Sequence, residues 1–410
     1  MDREDSLLVS VDIGTYKTAV VVAEMTPEGV AVLGIGTAQS QDVRKGLVNN
    51  VENAVQGLQK AVEEAEVGAS CEIHNVFIGL TGGHMEGISS QGVVRVKSGE
   101  VSSDDVEEVI AVAQAIALPP ECEILHMFPQ EFLVDGQDRG REPIGASGVR
   151  LETNVHAVSV ATSAVHALQK CCERAGLYVN GVYYNALAAA EAVLTPEEKE
   201  LGVVLLDIGA GTTGVAAFSR GVVVHTSVLP VGGENVTNDL AAGLGIPVAE
   251  AEKLKHRHGC TLTSLIAPGE MIELPRIGER DFDPLPRRKV SEIIEARVEE
   301  IFELVREQLD FSDLLDQFGA GIVLTGGSAI LEGMPDLAQR VFRMSARRGM
   351  PQYVSDVIDP ANSPMYAAAI GLILCNLQDG VRFHPLAQLR DGQDWQRMRE
   401  RVVEWLRDFF

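Results

Sequence analysis

Residues 7–22 place apolar side chains on both arms of a turn containing Gly14, a pattern that predicts a β-hairpin. Residues 30–36 predict a third short strand. Val51, Val55, Leu58 and Val62 recur at helical spacing and predict an amphipathic helix over 52–65. Residues 76–80 form a continuous apolar run, read as a buried strand ending at Thr81-Gly82-Gly83. The texture then changes. Between 84 and 162 there is a strand at 93–96 and a helix at 106–116, capped by Ser102-Ser103-Asp104-Asp105 and stopped by Pro119-Pro120. Further strands fall near 123–134 and 151–160, separated by a Gly- and charge-rich loop at 135–148. Together they read as a small α/β unit inserted into a larger one.

Helices are predicted at 163–175 and 184–194, the second rich in alanine and so suited to close helix packing. A polar linker follows at 195–198. Residues 203–224 read as a second hairpin. Helices are expected near 234–244 and 247–254 and, at greater length, over 289–309. A strand at 322–324 runs into Thr325-Gly326-Gly327-Ser328, with a helix opening at Ala329, and a second Ala-rich helix spans 362–377.

The two hairpins are one unit used twice. Val11-Asp12-Ile13-Gly14-Thr15-Tyr16-Lys17-Thr18-Ala19-Val20 aligns without gaps on Leu206-Asp207-Ile208-Gly209-Ala210-Gly211-Thr212-Thr213-Gly214-Val215. A repeat of this kind points to a duplicated architecture. Glycines let backbone N–H groups approach a ligand closely, and successive N–H groups cradle anionic oxygens. Thr15, Thr18, Thr212 and Thr213 add hydroxyls, and Lys17 adds a positive charge. Asp12 and Asp207 would repel phosphates unless a hard cation sat between, so Mg²⁺ held through water is expected. Gly209-Ala210-Gly211-Thr212-Thr213-Gly214 matches the dinucleotide fingerprint, but that motif needs a helix immediately after it, and strand-like residues follow here. No P-loop motif occurs. Gly326, Gly327 and Ser328, after a strand, offer bare backbone to a nucleoside or its phosphates.

Length suggests two to four domains at about 150 residues each. Lys plus Arg number 34 and Asp plus Glu 59, a formal charge of −25, which argues against nucleic acid as a partner. Six cysteines without a C-x-x-C pair argue against zinc and thiol-redox chemistry and fit reduced thiols in a cytosol. The acidic N-terminus does not read as a signal peptide, and no apolar run reaches the ~18 residues of a membrane span. The tail departs from this average. From Trp395 to Phe410 there are four Arg and three acidic residues. At 100° per residue Trp395, Met398, Val402, Trp405, Leu406 and Phe409 fall on one face, within about 80° of Trp395. With Asp394 as N-cap, this predicts an interfacial amphipathic helix on a membrane.

Two D-x-G hairpins, a late Thr-Gly-Gly-Ser turn and two Ala-rich helices resemble the actin, Hsp70 and sugar kinase ATPases. Within that superfamily the chain resembles the bacterial cell-division family FtsA, from about residue 7 to 377. The more specific matches are Ile124-Leu125-His126 through Phe132-Leu133-Val134-Asp135-Gly136, the stretch Ala251-Glu252-Lys253-Leu254-Lys255-His256-Arg257-His258-Gly259, and Gly321-Ile322-Val323-Leu324-Thr325-Gly326-Gly327.

The resemblance implies an actin-like (ribonuclease H-like) α/β fold of duplicated domains. Its first lobe would hold 1–83, 163–195 and a closing helix at 362–384, with an inserted subdomain at 84–162. Its second lobe would hold 196–230 and 306–361, with a small subdomain at 231–305. A linker at 385–393 would lead to the helix at 394–410. ATP would lie between the lobes, met by Asp12, Gly14, Thr15 and Lys17 from one side and by Asp207, Gly209, Gly211, Thr212 and Thr213 from the other. Gly326, Gly327 and Ser328 would meet the nucleoside, and Glu252 and Lys255 the adenine and ribose. Asn185 or Glu191 would orient water. Because Asn185 cannot take a proton, slow turnover is expected. The implied partners are the C-terminal peptide of FtsZ, met by Arg288 and Arg297, other copies in a filament, the inner face of the cytoplasmic membrane at the division site, and later division proteins. A small-molecule kinase and a pilus-assembly actin homologue are the alternatives within the superfamily.

Overall fold

The computed structural model describes residues 7–26, 29–273, 284–311, 314–352, 354–355 and 362–377. The tail residues Trp395, Met398, Val402, Trp405, Leu406 and Phe409 lie outside the described residues.

Strands β1 (Leu7–Ile13), β2 (Lys17–Thr26) and β3 (Gly29–Gln39) form an antiparallel meander. A short ladder of β4 (Val43–Arg44) and β5 (Leu47–Val48) leads to α1 (Val51–Ala69), and β6 (Asn75–Leu80) returns parallel to β1. The insert follows, with β7 (Glu86–Arg95), α2 (Ser103–Gln114), β8 (Cys122–Val134), β9 (Gln137–Asp138) and β10 (Arg150–Ala161). It has its own sheet, in the order β7-β10-β8-β9, and its own core around Val106, Phe132 and Leu151. The chain re-enters the first sheet through α3 (Thr162–Arg174) and β11 (Tyr178–Tyr184), then runs on into α4 (Asn185–Val193) and α5 (Pro196–Leu201).

The second half repeats the scheme. Strands β12 (Val203–Ile208), β13 (Thr213–Ser219) and β14 (Val222–Leu229) form a meander, followed by α6 (Gly233–Leu244) and α7 (Val248–His258). After the two-residue strands β15 (Met271–Ile272) and β16 (Leu285–Pro286) come α8 (Arg287–Phe311) and β17 (Gly321–Thr325), the latter parallel to β12. The chain continues through α9 (Met334–Phe342), β18 (Ala346–Arg348), β19 (Val354–Ser355) and α10 (Ala367–Leu377). The sheet orders are β11-β6-β1-β2-β3-β19 and β14-β13-β12-β17-β18. In each half the central strand has one antiparallel and one parallel neighbour, and one hydrophobic cluster spans each sheet and its helices. β19 pairs with β3, so the chain has already crossed back to the first sheet before residue 362.

Besides unexpected short strands such as β4, β5 and β18 and the earlier start of β7, four differences bear on the lobes. Residues 195–198 are not a linker but start α5, because Thr195 and Glu198 cap each other's backbone N–H groups and Pro196 fits the first turn. β11 escapes pattern reading because Asn180-Gly181 resembles a turn, whereas the ladder absorbs it as a register shift between Val179 and Gly181. The turn after Gly326 is a single 3₁₀ turn, Gly327–Ile330, rather than the start of a helix, and the helix proper begins four residues later as α9. The second hairpin is a three-stranded meander.

Helix α1 lies on β3 at a separation only glycine permits. A Cβ on Gly34 would come within 2.6 Å of the Ala65 carbonyl oxygen, and one on Gly36 within 2.7 Å of the Ala65 nitrogen. Gly36→Val is therefore expected to destabilise the protein by about 3 kcal/mol through overpacking, read as a lowered urea midpoint with an unchanged m-value. α10 crosses α4 in the same way, with Gly371 set against the carbonyl of Ala188, as the Ala-rich patterns predict.

Candidate functional site

Each half delivers a glycine turn to one cleft. In the first, the Gly14 N–H donates to the Lys17 carbonyl (3.0 Å). In the second, the Gly209 N–H donates to the Thr212 carbonyl (2.9 Å). Asp12 pairs with Ala19 and Asp207 with Gly214, so the aspartates occupy equivalent positions two residues before the turn glycine. The turns touch. A Cβ on Gly211 would lie 2.6 Å from Thr15 Oγ1 and 3.1 Å from the Lys45 Cα, so glycine is required where the halves meet. Thr15 Oγ1 accepts from the Gly46 N–H (3.2 Å), which fixes the loop after β4 against the first turn.

Asp12 and Asp207 are close enough to repel each other. Asp207 opens partly on the cleft, yet burial and the Asp12 charge push its carboxyl up to about 7, against a smaller opposing pull from Lys17. Asp12 Oδ1 accepts from Asn185 Nδ2 (2.9 Å) at the N-terminus of α4. Gly79, opposite Asp12 on β6, makes room for that amide, since a Cβ there would collide with Asn185 Oδ1. The Lys17 ammonium is buried and has no hydrogen-bond partner among the described residues. Burial lowers its pKa, while Asp12 and Asp207 raise it, and it sits 4.4 Å from the centroid of the Tyr366 ring. Two acids facing across a cleft beside an orphaned buried cation suit a Mg²⁺–polyphosphate. The cation would relieve Asp12 and Asp207 through water, and the phosphate oxygens would give Lys17 its acceptors.

The third glycine turn supports the second. Gly326 has φ 84°, and a Cβ there would lie 2.5 Å from Asp207 Oδ1. Ser328 Oγ donates to the Gly209 carbonyl (2.9 Å), and the Gly233 N–H donates to the same oxygen (2.9 Å). The Ser328 hydroxyl thus donates to the turn, and its oxygen keeps only acceptor capacity for a nucleoside. Thr213 is corrected likewise: it is fully buried in β13 and donates to the Val231 carbonyl (2.9 Å). Thr212, also buried, stays at the bend.

Glu252 and Lys255 form an internal brace. Lys255 Nζ reaches the Gly233 carbonyl (3.0 Å), Thr237 Oγ1 (2.8 Å) and Glu252 (2.8 Å), while Glu252 also holds His256 (2.9 Å). These partners keep the Glu252 pKa low despite its burial. His256 meets Tyr16 edge-on, with ring centroids 6.4 Å apart, which brings the first turn against α7. Glu191 is the clearest correction. It pairs with Lys199 (2.7 Å), both buried, about 9 Å further along α4 than Asn185. Asn185 is brought to the paired acids, and Glu191 is an ion-pair partner beneath β13.

Several supporting residues were given no role at the site by the sequence. The Tyr184 hydroxyl accepts from the Val215 N–H (3.1 Å) and donates to the Ser227 carbonyl (2.7 Å), tying the start of α4 to the second sheet. The Tyr184 N–H donates to His126 Nε2 (2.9 Å), and burial lowers the pKa of that imidazole to about 3. Gly79 and Tyr366 are likewise recruited by long-range packing. Of the expected peptide contacts, Arg297 is held by both oxygens of Asp239 (2.5 and 3.1 Å) and by Glu300, whereas Arg288 is exposed and only loosely paired with Glu292 (3.3 Å). Arg297 is therefore already paired with acidic groups of this chain.

A duplicated meander with a parallel central pair, and glycine turns from both halves meeting in one cleft, defines the actin-like class. Solved structures agree. The chain matches the PilM-PilN type IV pilus biogenesis complex at TM-score 0.63 and 17% identity, over 90% of this chain and 98% of that one. It matches MreB5 of Spiroplasma citri bound to ADP at TM-score 0.55 and 14% identity, over 92% and 98%.

Within that class the chain belongs to the FtsA family of cell division proteins. The model for cell division protein FtsA matches residues 204–371, and the model for the SHS2 domain inserted in FtsA matches residues 82–159. Cell division protein FtsA of Pseudomonas aeruginosa is 42% identical over 92% of this chain and 90% of its own length. That of Escherichia coli is 37% identical over 98% of both. Among the described residues no helix is long and apolar enough to cross a membrane.

Proposed function

We propose that this cell division protein binds Mg²⁺·ATP between its two halves, polymerises, and tethers FtsZ filaments to the inner face of the cytoplasmic membrane through its C-terminal segment. The observation that carries the nucleotide reading is the meeting of Asp12, Asp207 and the unpartnered Lys17 ammonium in a cleft formed by both glycine turns. Bound Mg²⁺ supplies a positive charge that offsets both carboxylates and polarises the phosphates. Gly14, Thr15, Gly209, Gly211 and Thr212 bring backbone and hydroxyl groups to those phosphates, and Lys17 contributes a charge. Asn185, anchored on Asp12, orients water but cannot accept its proton, so hydrolysis is slow.

In this reading Glu252 and Lys255 shape the nucleoside side through the brace under α6, and Gly326 and Gly327 supply close backbone. The insert offers a separate sheet to later division proteins. Electron microscopy of the protein on an anionic lipid monolayer tests the whole: membrane-bound filaments form with Mg²⁺·ATP, and their absence at saturating protein would remove the proposal.

FtsZ recognition centres on the start of α8, where Arg288 is exposed beside Glu292. Arg288→Glu should weaken binding of an acidic FtsZ C-terminal peptide about 5-fold in a fluorescence polarisation titration. A like-charge contact at a partly exposed site is worth on the order of 1 kcal/mol. Reversal of Arg297 is a poorer probe, since it would break the Asp239 pair that joins α8 to α6.

A further inference from the structure

Residues 363–366 form a single turn that touches three parts of the site. The Tyr366 ring lies under Lys17 Nζ at 4.4 Å, and its hydroxyl is 3.2 Å from Thr37 Oγ1 on β3. The Tyr366 N–H donates to the Ser363 carbonyl (3.0 Å), which closes the turn. The Pro364 carbonyl accepts from the Gly326 N–H (3.2 Å) and from Thr325 Oγ1 (3.4 Å), so the same turn is bound to the second half. α10 starts at the next residue, and Ser10 Oγ donates to the Ala369 carbonyl (2.7 Å).

A buried ammonium without hydrogen bonds must be compensated in another way. Here the negative face of an aromatic ring supports it from below, while two carboxylates pull on it from the cleft. We infer that Tyr366 is the positioning residue for Lys17, holding its ammonium at the mouth of the phosphate cradle, and that the first turn of α10 consequently tightens when phosphate binds. This rests on the nucleotide reading above. With one face of the ammonium covered by the ring, phosphate oxygens would have to meet it from another side, so ring and phosphate act together. Without the ring, the ammonium loses the face that holds it in place and with it its aim.

The test is calorimetric titration of the full chain with Mg²⁺·ATP, using Tyr366→Phe, Tyr366→Leu, Lys17→Met and the Lys17→Met/Tyr366→Leu pair. Tyr366→Phe keeps the ring and should bind within about 2-fold of the native chain. Tyr366→Leu should bind about 10-fold more weakly, a change of ~1.4 kcal/mol. In the Lys17→Met background the same change should matter less than about 2-fold, because the pair is already broken. Equal losses in both backgrounds would make the ring a packing residue only and overturn the inference while leaving ATP binding intact. Failure of the native chain to bind ATP would remove both readings.

Hydrogen exchange on the native chain keeps the inference testable should Tyr366→Leu not fold. Mg²⁺·ATP should slow exchange in residues 365–369 at least about 3-fold, and unchanged exchange there with ATP bound overturns it.

Discussion

Asp207→Asn should yield a protein that melts higher than the native chain when both are free of nucleotide at pH 8, yet binds Mg²⁺·ATP on the order of 100-fold more weakly. Both effects follow from one carboxyl. In the fold, burial and Asp12 push its pKa from 3.8 up to about 7. The native state therefore holds a proton that the unfolded chain has released. The resulting stabilisation is complete below about 3.8 and is lost as pH rises through 7. At pH 8 the native chain carries a buried charge next to Asp12, and an amide of the same shape does not.

Because Asp207 opens partly on the cleft, water relieves some of this cost. The gain is set at about 2 kcal/mol, or a few degrees in Tm. The difference between the two proteins should shrink towards pH 4, which separates this effect from acid unfolding driven by other carboxylates. Saturating Mg²⁺·ATP should reverse the order of melting, because binding stabilises only the protein that retains both acids. Equal nucleotide affinities, measured by calorimetry, would remove Asp207 from the site.

The paired turns were legible because their chemistry is local. Asp, Gly and Thr recur within ten residues on each side, and Gly14 and Gly209 make the same hydrogen bond, although neither adopts the positive φ that a turn glycine allows. What was not legible depends on partners far along the chain. Ser328 looks like a ligand donor until the Gly209 carbonyl, 119 residues away, accepts its hydrogen bond. Thr213 looks like a phosphate donor until Val231 does the same. Glu191 and Asn185 share one helix and one composition, and only the arrival of Lys199 from α5 assigns one to structure and leaves the other with Asp12. Tyr366 carried no pattern at all: it is one aromatic residue beside an Ala-rich run, and only the crossing of α10 over α4 brings it beneath Lys17. Hydrophobic periodicity similarly yielded the first meander, cut the second to a hairpin, and missed β11, where a bulge hides inside an Asn-Gly pair that reads as a turn.

Removal of residues 395–410 should abolish sedimentation with anionic vesicles and leave Mg²⁺·ATP affinity unchanged. The argument comes from the sequence. Trp395, Met398, Val402, Trp405, Leu406 and Phe409 share one side of a helical wheel, and four Arg outnumber three acids in a chain of formal charge −25. Six such side chains at ~1.5 kcal/mol each offer about 9 kcal/mol before the cost of ordering the segment, which removes much of it. One copy should therefore bind reversibly, at micromolar to millimolar strength. A filament presenting many copies turns that weak contact into stable attachment, because each later copy binds at the effective concentration set by its neighbours. Two consequences can be measured. Trp395→Glu with Trp405→Glu should match the deletion, since the charged side chains would have to enter the interface. Full-length binding should also steepen with protein concentration when Mg²⁺·ATP is present, and become shallow in Asp207→Asn, which keeps the tail and loses the nucleotide. Vesicle binding by the truncated chain equal to that of the full chain would place the membrane contact elsewhere.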